Sequence, residues 1–467
     1  MTDFASYQSP YSWRYGSPEM RTIWSETNRR KLWRKIWLAL AEIQAEYGLV
    51  TDQQLVELRS HLDDINIPRA LEIESVIHHD VMAEVRTYAE QCPQAGKILH
   101  FGMTSMDVVD NADALRVKAS LELIRQRLAA VMQIFCDLSE HWAGKPIIAY
   151  THLQPAEPTT LGYRFAQYLQ DLYMDWEELQ KLISHQRAKG LKGAVGNRAA
   201  FGELFPAVDL ESIETKFSSK LGIPFFPVAT QVYPRKQDYQ VLSVLAGTAA
   251  SLNKFAFDLR FLQTPSIGEW MEPFQKEQVG SSAMPFKRNP VRAEKINSLA
   301  RLAAQFPRVA WDDAAFSLLE RTLDDSANRR TILPEAFLNL DEILITTSAI
   351  SSKLAIDPDA AQRNLDTYLN FAAQEKLLMA LTKAGADRQE MHELLRVHAL
   401  RAYDSIRQGS SNPLRHNLIE DSRLRIYLTN ERISEILEDT AGHTGDAEKM
   451  AKSLAADVRA ALEAGIQ

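Results

Sequence analysis

The run Gly280-Ser281-Ser282-Ala283-Met284-Pro285-Phe286-Lys287-Arg288-Asn289-Pro290 brings a hydroxyl, two cations and a helix-start signal close together. The Gly-Ser-Ser stretch suits a loop that opens and closes. Asn289-Pro290 reads as an N-cap and a first helical position, and the amides of a helix start favour a nearby anion. With Lys287 and Arg288 beside them, these residues describe a carboxylate site. They also describe a solvated basic loop with an ordinary cap, and residue types alone leave both open. A second run, Thr151-His152-Leu153-Gln154-Pro155-Ala156-Glu157-Pro158-Thr159-Thr160, places one histidine just before two prolines. Such a histidine can protonate a leaving group near neutral pH, or it can be a plain hydrogen-bonding residue. His78-His79-Asp80 has the residue types of a metal site. Read as part of a helix, its side chains point in different directions, so no metal is expected there.

Long helices must position these groups. Ile124, Leu128, Val131, Phe135, Leu138 and Trp142 follow steps of about four and three residues, the seam of a bundled helix. Gly144 and Pro146 end it. Phe165, Leu169, Leu172, Trp176, Leu179 and Ile183 repeat the rhythm, as do Leu242, Leu245, Ala249, Leu252, Ala256 and Leu259. Rods of about 25 to 35 residues extend roughly 40–50 Å. They are expected to pack on one another and on copies from other subunits. An earlier helix opens near Ser25 or Thr27, carries Trp33, Ile36, Trp37, Leu40 and Ile43, and stops at Gly48. From about Asp357 onward, shorter helices are expected between Gly385, Pro413 and Gly442. No sustained period-two alternation occurs, so strands should be few. The class is all-α.

The 467 residues suggest about three domains. A net charge of −8 is mild and favours neither nucleic acid nor a membrane surface as partner. Cys92 and Cys136 form no Cys-x-x-Cys pair and fit a reducing compartment. Met1-Thr2-Asp3-Phe4 does not begin a signal peptide, and no apolar run is long enough to span a bilayer. The expectation is a soluble cytoplasmic protein.

The run Gly280–Pro290 resembles the Ser-Ser-x-Met-Pro-x-Lys-x-Asn-Pro signature of the fumarase/aspartase superfamily. His100-Phe101-Gly102-Met103-Thr104-Ser105 and Thr151-His152-Leu153-Gln154-Pro155 match its companion segments. Within the superfamily, Arg14-Tyr15-Gly16-Ser17-Pro18-Glu19-Met20, His79-Asp80-Val81-Met82-Ala83 and the run from Glu320 to Arg330 are most similar to the adenylosuccinate lyase family. The resemblance implies a fumarase/aspartase-like long helical bundle with smaller helical N- and C-terminal domains, divided as 1–104, 105–356 and 357–467. It implies homotetramers with active sites shared between subunits. It implies β-elimination of fumarate from adenylosuccinate and from SAICAR, with no metal or organic cofactor.

Carried over by resemblance, Ser281 is the base, and Lys287 and Asn289 hold the substrate carboxylate. His152 is the general acid, Glu294 orients it, and His79 is a second site histidine. Arg14, Tyr15, Arg321, Ser326 and Arg330 match phosphate and sugar contacts. Thr104 and Ser105 match succinyl-carboxylate contacts, and Thr151 and Gln231 match further substrate contacts. Asn197 stands where relatives often have threonine, and Lys295 where some have arginine; lysine keeps the charge but loses the fork. An argininosuccinate lyase would share Ser281, Lys287 and His152 without needing a phosphate pocket. A lens-crystallin-like structural role would be favoured by loss of the acid or base, and both are present.

Overall fold

The computed structural model describes residues 4–275, 277–439 and 442–466. Residues 1–3 of the N-terminal reading and Lys276 lie outside them. In chain order come helices α1 (Pro18–Trp24), α2 (Glu26–Glu46), α3 (Asp52–Ser60), α4 (Ile67–Ile77), α5 (Asp80–Gln91) and α6 (Ser105–His141). A hairpin of β1 (Pro146–Thr151) and β2 (Gln154–Thr160) precedes α7 (Leu161–His185), α8 (Ala199–Leu204), α9 (Leu210–Leu221) and α10 (Lys236–Leu262). Strand β3 (Trp270–Met271) is followed by α11 (Val291–Ala303), α12 (Phe306–Ala315) and α13 (Asp324–Ser351). After β4 (Ala355–Ile356) come α14 (Pro358–Lys383), α15 (Arg388–Arg407), α16 (Leu414–Ile419), α17 (Asn430–Glu438) and α18 (Ala447–Ile466). The class is all-α, as expected.

The chain divides into two compact units: Met1–Leu128, Asp175–Ala250 and Ser298–Ile345 form the first; Ala129–Met174, Ser251–Asn297 and Thr346–Gln467 form the second. The division at 104/105 and 356/357 follows chain order and stands as a proposal beside these units, each of which draws on three stretches of chain.

Most seam residues are interior. Ile124, Leu128, Val131 and Phe135 are buried on α6, Phe165, Leu169, Leu172, Trp176 and Leu179 on α7, and Leu242, Leu245, Ala249, Leu252, Ala256 and Leu259 on α10, while Leu138, Trp142 and Ile183 are half-buried. In the second unit Phe135 meets Phe165 and Phe255 edge-on, at 6.4 and 5.0 Å between ring centroids, and Trp270 stacks on Phe165 at 4.7 Å. Such aromatic contacts lock helix faces with defined geometry. In the first unit, Trp33, Ile36, Trp37 and Ile43 of α2 pack into a core with Tyr88, Phe201 and Phe217. Ser25 caps α2 by accepting from the Asn28 amide, and Gly48 follows its end at φ +73°.

Three expectations need correction. The C-terminal helices are not all short, because α14 has 26 residues. The run Thr151–Thr160, with no strand expected there, is mostly a hairpin, with Thr151 paired to Gln154. His78 and His79 do not lie within a helix, and Asp80 opens α5. His78 ends α4 in the left-handed conformation, φ 53°, and His79 is the N-cap of α5.

Candidate active site

His79, Thr104, Ser105, Gln231, Arg321, Ser326 and Arg330 line one cavity of about 790 Å³, whose walls all belong to the first unit. The left-handed end of α4 turns the chain sharply enough for His79 to cap α5. Its Nδ1 accepts from the Met82 amide at 3.4 Å, and its Nε2 lies 3.3 Å from the Ser105 hydroxyl. An Nδ1 that accepts leaves the proton of the neutral ring on Nε2, the nitrogen facing Ser105. Thr104 and Ser105 sit at the start of α6, where the Thr104 amide donates to Asp107 at 2.9 Å. Asp107 is itself buried against Lys189 at 2.6 Å. Gln231 is held by its own amide on the Glu320 carbonyl and by its side chain on the Ala194 carbonyl, each at 3.2 Å. Asn197, the departure from threonine, accepts from the Ala199 amide at 3.1 Å just before α8.

The arginines differ in their freedom. Arg330 is exposed and donates to Asp80 at 3.0 Å, while Arg29 donates to the same carboxylate oxygen at 2.8 Å. Arg29 also lies 4.4 Å over the Trp33 ring. Arg321 pairs with Asp325 at 2.7 Å, and Asp325 reaches on to Arg235 at 2.5 Å. Beneath them Arg329 is buried, donating to Asp238 at 2.7 Å and to the Tyr233 hydroxyl at 2.8 Å. Five arginines (29, 116, 321, 329, 330) against four carboxylates (Glu26, Glu74, Asp80, Asp113) line the cavity. An incoming anion therefore meets net positive charge.

Sequence reading missed Arg29, Asp80, Arg116 and Arg329. Asp80 and Arg329 lay inside quoted motifs; Arg29 and Arg116 carried no motif. Arg14 and Tyr15 do not line the cavity. Arg14 is exposed, 5.6 Å over Trp13, and Tyr15 packs edge-on against Tyr11. His100, in the companion segment, is half-buried and accepts from the Trp37 indole at 3.1 Å. Burial lowers its pKa, so it sits there as a neutral acceptor.

The second unit carries the remaining groups. His152 and Leu153 are the two central residues of the β1–β2 turn, both with positive φ (55° and 61°), both exposed. Two-residue hairpins favour this backbone, which Asn-Gly normally supplies. The strand below is irregular between Ile148 and Tyr150, and there Arg164 donates to the Ile148 carbonyl at 2.7 Å and pairs with buried Glu269 at 2.6 Å. Thr151 lines a separate cavity with Glu157 and Glu375.

Ser281 accepts from the Met284 amide at 3.1 Å, and Asn289 donates to the Gly280 carbonyl at 3.1 Å. Lys287 is exposed. The helix start differs from expectation: α11 begins at Val291, and Asn289 does not cap it. Glu272 does, accepting from the Arg292 and Ala293 amides at 3.2 and 2.5 Å. The anion favoured by that helix start is therefore one of the chain's own. Glu294 lies 3.8 Å from Arg260, and the structure does not pair it with His152. Among the described residues, no group of three or more His, Cys, Asp or Glu could hold a metal ion.

Residues 14–303 match the family described as Lyase, and residues 370–454 match the one described as Adenylosuccinate lyase C-terminus. The adenylosuccinate lyase of Saccharomyces cerevisiae is 36% identical over 99% of this chain and 97% of its own length. The chain belongs to the adenylosuccinate lyase family. The family's enzyme from Schistosoma mansoni is 39% identical over 90% of this chain and 89% of its own. A solved fumarate lyase from Mesorhizobium sp. BNC1, 22% identical, superposes with a TM-score of 0.83 over 97% of this chain and 99% of that one. That likeness speaks for the fold alone. The second match also assigns family character to the C-terminal stretch, where the sequence offered no sharp motif.

Proposed function

We propose that the protein cleaves a C–N bond by β-elimination, releasing fumarate from adenylosuccinate to give AMP and from SAICAR to give AICAR. One observation carries the geometric side of this reading: Arg321, Ser326 and Arg330, matched to nucleotide contacts, and Thr104 and Ser105, matched to succinyl contacts, line one arginine-rich cavity. Arginine suits a phosphate because its planar fork makes paired hydrogen bonds.

Ser281, as alkoxide, takes the proton from the carbon next to a substrate carboxylate. The electron pair left behind delocalises onto that carboxylate, where Lys287 and Asn289 stabilise the added charge. The pair then forms the C=C bond as the C–N bond breaks. His152, oriented by Glu294, delivers a proton to the departing nitrogen. His79 offers its Nε2–H within the cavity. No electron is gained or lost overall, so no redox cofactor is invoked. Thr104 and Ser105 hold the succinyl carboxylates, and Thr151 and Gln231 make further substrate contacts. Arg14, Tyr15, Arg321, Ser326 and Arg330 hold the phosphate and sugar.

These groups act together in a homotetramer whose sites draw on several subunits. Large apolar side chains left exposed on long helices, Met174 on α7 and Phe257 on α10, support burial against further copies. No helix among the described residues is long and apolar enough to cross a membrane, and we assign the enzyme to the cytoplasm. The test is fumarate release from adenylosuccinate and, separately, from argininosuccinate. Release from adenylosuccinate alone is expected; release from argininosuccinate alone would overturn the reading.

A further inference from the structure

The 272–290 segment leaves β3 and returns to α11, and two side chains close its neck. Glu272 directly follows Trp270-Met271, which pairs with Ile356 and Ala355 and is fixed by the Trp270–Phe165 stack. Its carboxylate accepts from the amides of Arg292 and Ala293, twenty and twenty-one residues onward, and the residue is 6% exposed. Gln263, just past the end of α10, touches both legs. Its Oε1 accepts from the Glu272 amide at 2.9 Å, and its Nε2 donates to the Arg288 carbonyl at 3.0 Å. Inside the neck, Gly280 presses on the Lys287 carbonyl so closely that a Cβ would lie 2.0 Å from it. A buried carboxylate on two helix-start amides is among the stronger local fastenings available to a chain.

We propose that Glu272 and Gln263 are positioning residues for catalysis: together they form a clasp that fixes where Ser281 and Lys287 are presented. The clasp rests on the reading of Ser281 as the base. It explains why a helix start that looks like a substrate anion site is filled by the chain itself. The α11 amides organise the loop, and the cations at positions 287 and 288 remain for the substrate.

The variants are Glu272→Gln and Gln263→Ala in the full-length protein, assayed by fumarate release from adenylosuccinate and by amide hydrogen exchange. A glutamine at 272 keeps the shape but turns an N–H donor toward one of the two amides. Expected are a kcat at least tenfold lower in Glu272→Gln, a KM within about threefold of the parent, and faster exchange confined to residues 273–293. Gln263→Ala should show the same pattern more weakly. If Glu272→Gln fails to fold, Gln263→Ala decides. Parental kcat with parental exchange overturns the clasp, and so does a lost kcat with unchanged exchange in the segment. Ser281→Ala, run alongside, separates the two readings. Turnover retained there removes Ser281 as base, while the exchange data still decide the clasp.

Discussion

Gly280→Ala is the sharpest single perturbation of the Ser281 loop. A Cβ at position 280 would stand 2.0 Å from the Lys287 carbonyl oxygen and 3.2 Å from the Phe274 ring. Real Cβ atoms essentially never come within 3.0 Å of such a neighbour, so backbone must move by at least 1.0 Å, the difference between those two distances. The moving atoms flank Ser281 on one side and belong to Lys287 on the other. The same shift strains the Asn289 bond to the Gly280 carbonyl. A displacement of about 1 Å is the scale on which catalytic alignment loses roughly 10²-fold, or about 2.7 kcal/mol of barrier. The loop is largely exposed, so global stability should change by less than about 1 kcal/mol. Steady-state fumarate release gives kcat, and a denaturant titration gives the stability. A kcat within threefold of the parent would refute the reasoning. The matched control is Gly202→Ala in α8, where an added Cβ meets nothing within 4 Å. It should leave kcat alone and stabilise by about 0.5–1 kcal/mol.

Asp80→Asn should free Arg29 and Arg330 from their shared carboxylate and raise the KM for adenylosuccinate about fivefold, the scale of a partly exposed ion pair, with kcat nearly kept; an unchanged KM argues against the pairing. Burial pushes the Asp313 carboxyl up to about 6, opposed by its hydrogen bond from Asn328. The folded chain therefore holds this proton longer than the unfolded one, and the associated stability is complete below about pH 4 and lost as pH rises through 6. Asp313→Asn should then stabilise at pH 8 by on the order of 2 kcal/mol and be neutral at pH 4, as read by urea titrations. Mixing inactive Ser281→Ala and His152→Ala oligomers should restore partial turnover after subunit exchange, because the proposed site draws on more than one subunit.

The seams of α6, α7 and α10 were legible because each helix shows one apolar stripe to a core and polar residues elsewhere. Helix α13 gave no such signal. Leu333, Ala336, Phe337, Leu338, Leu340, Ile343 and Leu344 are all buried, and a helix enclosed on most sides has no period to read. The length of α14 was hidden for a related reason: apolar residues packing on the hairpin and on the C-terminal helices blur its stripe. In the cavity, residues within contiguous motifs could be named in advance. Arg29 could not, because it becomes a site residue only when α5 brings Asp80 to it. Glu272 was invisible in another way. Its partners are backbone amides, which no side-chain spacing announces, and the cap assigned to Asn289 belonged to a carboxylate on the far leg of the loop.

The turn that carries His152 also bears on any attempt to make this protein more heat-resistant. Two non-glycine residues in the left-handed region cost on the order of 1 kcal/mol each or more, and a statistical redesign of the hairpin would write Asn-Gly at 152 and 153. That exchange would raise the melting temperature and delete the proposed acid in one step. Leu153→Gly alone would gain the stability and keep the imidazole, but on a looser pivot. The β1–β2 turn is thus a position where the most stable sequence and the working sequence part company.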